Sequence, residues 1–177
     1  MTVFLRPNER PNGEGWWIRA AETEPESCNT KPARGELIEA GFVEGNVFTL
    51  SVQPGRINWF LNPNMFPQGE DASPSGIKSV GSFRSASQLF LAIIRRWLSE
   101  CPPTVRLAYG AVLLEPVASR ETGYRRIAEF LPAVAIDALG SEDFFYQINR
   151  PGSSPAIAGQ RLNRLSPAPF VQETTPT

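Results

Sequence analysis

Residues 47–61 read VFTLSVQPGRINWFL, two runs of alternating apolar and polar side chains that meet at Pro54-Gly55. Alternation with period two is what a half-buried strand requires, because successive side chains point to opposite faces of a sheet. Proline fixes φ, and glycine accepts the positive φ that most residues avoid. The dipeptide therefore predicts a tight turn joining strands at Val47–Gln53 and Arg56–Leu61. Working outward, β-branched and aromatic enrichment predicts further strands at Trp16–Ala21, Val105–Val117, Phe144–Asn149 and Arg161–Leu165.

Between these strands the period changes. Over Ser82–Glu100 the residues Phe83, Ala86, Phe90, Ile93, Ile94 and Trp97 recur at three- and four-residue steps, the stripe of an amphipathic helix. Ser82 is placed to cap its start, and Cys101-Pro102-Pro103 to end it. A second helix is predicted over Glu121–Leu131, with Tyr124, Ile127, Ala128 and Leu131 on one side, Ser119 as its cap and Pro132 as its stop. The order of strands and helices predicts an α+β fold, a single domain over residues 1–165 with a mainly antiparallel sheet and two principal helices packed on it.

Three stretches rich in chain breakers, Glu22–Arg34, Pro63–Gly81 and Pro151–Gly159, read as long loops, the usual location of partner contacts. Residues 166–177, with repeated proline and threonine, read as an extended tail.

The formal net charge of −1 argues against a protein that binds nucleic acid or a membrane surface through its overall charge. Its distribution is uneven. Residues 1–80 carry seven Lys/Arg against ten Asp/Glu, whereas residues 81–165 carry ten arginines against seven acids. Lys31 and Lys78 are the only lysines. A high-GC genome would favour arginine codons, while arginine also suits bidentate contacts to phosphate and carboxylate.

The chain has no histidine, and its two cysteines, Cys28 and Cys101, lie far apart. Serine and cysteine triads that depend on histidine, and Cys/His zinc sites, are thereby excluded. Reduced thiols, no secretory leader in Met1–Arg10 and no long apolar run lead to the expectation of a cytoplasmic protein without a membrane span.

The remaining chemistry is sparse. Pro74–Ser79 has the wrong glycine spacing for a phosphate loop, and Gly13 and Gly15 do not open a helix after a strand as a dinucleotide site needs. Asp137, Glu142 and Asp143 form the best carboxylate group, suited to Mg²⁺ if it serves a Mg-dependent hydrolase or nuclease, but the stronger reading is a polar connection before a strand. No cofactor is expected.

Arginines are the stronger feature. Arg95 and Arg96 sit where cations complement a helix dipole. Arg125 and Arg126 lie in the second helix. Arg150, Arg161 and Arg164 flank Pro151–Gly159 on two segments that would bring Asn149, Arg150, Asn163 and Arg164 near one edge if they pair. Adjacent aromatics, Trp16-Trp17, Trp59-Phe60 and Phe144-Phe145-Tyr146, place one ring of each pair toward a core and leave its neighbour for a partner, a covering helix or solvent.

The candidate binding residues are thus Arg150, Arg161, Arg164, Asn149, Asn163, Arg125, Arg126, Trp59 and Tyr146. They lead to the expectation of a non-enzymatic binding or accessory protein, a subunit or neutraliser of another protein. The alternative is a nucleic-acid-binding module using the arginine-rich half.

Overall fold

The structure, a computed structural model, describes residues 1–65, 78–141 and 145–169; the side chains of residue 146 and residues 164–169 lie outside that description. The chain divides into two compact units, Met1–Leu113 and Leu114–Thr177.

The first unit runs β1 (Thr2–Phe4), α1 (Trp16–Ala21), β2 (Ser27–Lys31), a single 3₁₀ turn (Pro32–Arg34), β3 (Glu36–Val43), β4 (Asn46–Gln53), β5 (Arg56–Asn62), α2 (Phe83–Leu98) and β6 (Arg106–Ala108). Its six strands form one sheet in the order β2-β3-β4-β5-β1-β6, antiparallel at every pairing. The expected α+β class, with a mainly antiparallel sheet and both predicted helices, is what the chain adopts. Among the described residues no helix is long and apolar enough to cross a membrane.

The predicted hairpin forms the centre of this sheet. Gln53 pairs with Arg56, leaving Pro54-Gly55 as a two-residue turn with Gly55 at φ 73°. On the other side of β4, Val43 pairs with Asn46 across Glu44-Gly45, both at positive φ. Two successive positive φ values give the mirror-image turn whose twist matches that of antiparallel strands.

One face of the sheet carries the core. Phe48, Leu50 and Val52 of β4 and Ile57 and Trp59 of β5 are buried there with Trp16, Trp17 and Ala20 of α1 and Phe90, Ile93, Ile94 and Trp97 of α2. Phe48 touches Trp17 and Trp59 with ring centroids 5.2 Å away, and Trp97 meets Trp16 at 5.4 Å and Trp59 at 5.3 Å. Such ring pairs contribute roughly 0.5–1.5 kcal/mol each beyond the area they bury. Ser82 caps α2 as expected, its Oγ accepting from the Ser85 amide at 3.2 Å. At the far end of α2, Arg96 pairs with Glu22 at 3.0 Å and donates to the Ala20 carbonyl at 3.2 Å, so it serves the C-terminus of α1.

Several expectations need correction. Trp16–Ala21 is helical, because six residues with adjacent tryptophans satisfy either period. In a helix Trp16, Trp17 and Ala20 all reach the same core, and Gly15 at φ 71° and Glu22 at φ 59° bound the turn. The predicted strand Val105–Val117 shrinks to Arg106–Ala108, since β1 offers only three rungs for it to pair with. Part of the predicted loop Glu22–Arg34 is β2, an edge strand whose residues are all exposed and so lack any apolar period. The strand β3 was not foreseen, because Glu39 and Gly41 occupy core-side positions between Leu37 and Val43 and break the alternation. The segment Pro74–Ser79 falls largely outside the described residues.

In the second unit, α3 (Arg120–Phe130) is capped by Ser119, whose Oγ accepts from the Thr122 amide at 3.2 Å. It is followed by β7 (Phe145–Ser153) and β8 (Arg161–Pro169), which pair antiparallel as an isolated two-stranded ribbon. The ribbon is longer than the predicted strands and takes in Pro151–Ser153 from the expected loop and Ser166–Pro169 from the expected tail.

Candidate functional site

The arginine and asparagine residues near the chain's end were expected to converge if their segments paired. The segments do pair, and Arg150 is opposite Arg164, Asn163 opposite Pro151, and Arg161 opposite Ser153. Period-two geometry therefore divides the group. Arg150 lies on one face of the ribbon, while Asn149, Arg161 and Asn163 take positions on the other. All four are exposed, and neither Arg150 nor Arg161 has an ion-pair partner among the described residues. Of Arg164 and Tyr146 only the backbone positions are described, Tyr146 opposite Ala168.

The helix arginines are occupied internally. Arg125 pairs with Glu121 one turn earlier. Arg126 donates to Glu115 at 2.8 Å and to Glu129, and its guanidinium lies 4.8 Å from the Phe130 ring centre. The hydrogen bonds to Glu115 and Glu129 hold Arg126 more firmly protonated than a free arginine.

Trp59, expected among the binding residues, is instead fully buried between Phe48 and Trp97. Its neighbour Phe60 takes the outward position and is 42% exposed. This pair splits as strand alternation requires, with the second residue outward, whereas helical Trp16 and Trp17 both enter the core.

The acidic group supplies no assembled site. The Asp137 carboxylate accepts from the amides of Gly140 and Leu139, both at 3.0 Å, and these bonds hold it below the usual carboxylate range. That is the work of a turn residue. Glu142 and Asp143 lie outside the described residues, and among the described residues no group of three potential metal ligands comes together. Two surface hollows, one lined by Gly15, Ile18, Arg19 and Glu22 and the other including Arg10, Thr30, Glu36 and Leu37, hold one carboxylate each. Both cysteines are free thiols.

What distinguishes the second unit is its exposed apolar surface. Among its described residues the buried ones are Gly123 and Tyr124, whereas Leu139 is 72%, Phe145 70% and Phe130 65% exposed, with Leu114, Ile157 and Leu162 also open. Directly before it in sequence, Val112 and Leu113 are exposed as well. Sequence reasoning missed this feature because an apolar residue on a predicted helix or strand is assigned to a core by default. The signal available was the scarcity of strands after residue 114, too few to build a second sheet.

Comparison with protein-family models, with curated proteins and with solved structures finds no match for this chain.

Proposed function

We propose that the protein is a non-enzymatic binding protein that associates with another protein, as an accessory subunit or a neutraliser, and that the second unit is its docking element. The observation that carries this reading is the exposure of Phe130, Leu139, Phe145, Ile157 and Leu162 on a unit whose sheet is a lone two-stranded ribbon. Two strands by themselves are marginal in water, and by register Phe145 and Leu162 open on opposite faces of this ribbon, so a protein wrapping it would cover large apolar side chains on both. A protein partner supplies both apolar cover and backbone groups for the open edges of β7 and β8. Arg150 and Arg161, which have no ion-pair partner among the described residues, add charged contacts at the rim of such an interface, where they set orientation and association rate more than affinity.

The test is recovery of a stoichiometric complex from the native cells with the tagged full chain, repeated with Phe145→Asp and Leu162→Asp. The expected result is a defined partner retained by the unaltered protein and lost from both variants, with the first unit's near-ultraviolet aromatic signal intact. A monodisperse monomer without partner, or a partner retained equally by the variants, overturns the reading.

A further inference from the structure

The sheet of the first unit has a second face, opposite the core, on which neither α1 nor α2 packs. Strand alternation and register place on it Thr2 and Phe4 of β1, Arg106 and Ala108 of β6, Arg56, Asn58, Phe60 and Asn62 of β5, Thr49 and Ser51 of β4, and Ile38 and Phe42 of β3. Phe4 is directly opposite Arg56 on one side and Arg106 on the other. Both guanidinium groups lie over its ring, at 5.7 Å and 5.3 Å from the centre.

Asn58 ties this group together. Its Oδ1 accepts from Arg56 Nε and from Thr2 Oγ1, each at 2.9 Å, which anchors the Arg56 guanidinium through Nε and leaves the terminal nitrogens out of that bond. Among the described residues no carboxylate pairs with Arg56 or Arg106. The sole acid at an outward strand position is Glu36, already paired with Lys31 at 3.4 Å near the far edge. Two exposed arginines thus share one ring, with no counter-charge among the described residues. Farther along the same face, Phe60 and Phe42 are exposed among neutral hydrogen-bonding side chains.

We propose that this face binds single-stranded nucleic acid, with Arg56 and Arg106 engaging phosphates and Phe60 and Phe42 offering stacking platforms for bases. Charge complementarity selects a polyanion, and the guanidinium forks suit phosphate oxygens. Aromatic rings beside them select a strand whose bases are unpaired, because bases stacked inside a duplex present no free face. The neutral side chains Thr49, Ser51 and Asn62 suit base edges without repelling the backbone. The site lies on the first unit and uses none of the residues assigned to protein docking, so either reading can fail alone.

The experiment is fluorescence anisotropy of the full chain with 5′-labelled oligothymidylate and oligouridylate of about 20 nucleotides, titrated between roughly 50 and 200 mM salt. Binding that weakens with salt is expected. In the Arg56→Gln/Arg106→Gln double variant, the slope of log affinity against log salt should fall by about 1.4, from two lost phosphate contacts, and low-salt affinity by ~10-fold or more. Phe60→Ala should lose roughly 5- to 100-fold, the worth of one stacked base. The Arg56→Lys/Arg106→Lys variant keeps the charge and should retain the slope with weaker binding, which separates the site from a loss of folding. No binding at the lowest salt, an unchanged slope in the glutamine variant, or displacement by polyglutamate at equal charge overturns the proposal.

Discussion

At Gly13 the backbone and the packing make the same demand. Its φ is +73°, and a Cβ there would stand 2.8 Å from both Leu37 Cδ2 and Val52 Cγ2. Gly13→Ala therefore combines left-handed strain of about 1–2 kcal/mol with an overpacking cost of about 1–3 kcal/mol. The expected loss is ~2–5 kcal/mol, read as a lower urea midpoint at unchanged slope. Gly15 has φ +71° but nothing within 4 Å of an added Cβ, so Gly15→Ala should show the strain alone, about 1–2 kcal/mol. Glu39 raises a different question, because it occupies a core-side position on β3 with its Oε2 buried and unpartnered among the described residues. Desolvation, reinforced by Glu24, pushes its pKa up. Between its unfolded and folded pKa values the folded state holds more protons, so stability falls as pH rises through that window. Glu39→Gln should stabilise the protein at pH 7, and the gain should shrink as pH falls through that window. Equal melting shifts above and below that window would refute this account.

Among the elements, α2 does most to fix the first unit, since Phe90, Ile93, Ile94 and Trp97 all enter the core from one face of it. Ser82→Ala removes its cap and should cost about 1 kcal/mol, whereas Trp97→Ala, which removes a ring wedged between Trp16 and Trp59, should cost ~3–5 kcal/mol. Thermal unfolding followed by near-ultraviolet circular dichroism distinguishes the two losses. The helix was legible in the sequence for the reason that it is stable: sixteen residues carry several repeats of its period, with a cap at one end and prolines beyond the other. The β4–β5 hairpin was legible because its turn chemistry and its alternation agree. Where the reading failed, the local period was too short or was interrupted. Six residues of α1 fit either period, the edge strand β2 has no buried side to report, and Glu39 and Gly41 stand where β3 should show apolar residues. Pairing between β7 and β8 was also legible, but its register was not. A one-residue choice of register decides whether Arg150 and Arg161 share a face, and no local propensity encodes that choice. Trp59 and Phe60 show the same limit, since alternation says that they oppose each other without saying which one faces the core.

Across the whole molecule, the two units should differ in local stability because they differ in what they bury. The first has strands paired on both sides at its centre, and Phe48, Leu50, Val52, Ile57 and Trp59 beneath two helices. Amides in β4 and β5 should exchange with solvent only on opening of that core, at a free energy near the global value. In the second unit, among the described residues, β7 and β8 have each other as their only strand partners, and Phe145, Ile157 and Leu162 are open to solvent. Their amides need only local separation of the ribbon to exchange. Native-state hydrogen exchange resolved by mass spectrometry should therefore show protection in β4 and β5 exceeding that in β7 and β8 by ~10²-fold or more, the difference between local and global opening. The same measurement bears on function. If a protein partner covers the ribbon, its addition should raise protection in β7 and β8 while leaving β4 and β5 unchanged, because their exchange is already governed by the core. Equal protection in both units of the free protein would mean that the ribbon is stabilised without a partner, and the case for the second unit as a docking element would fall with it.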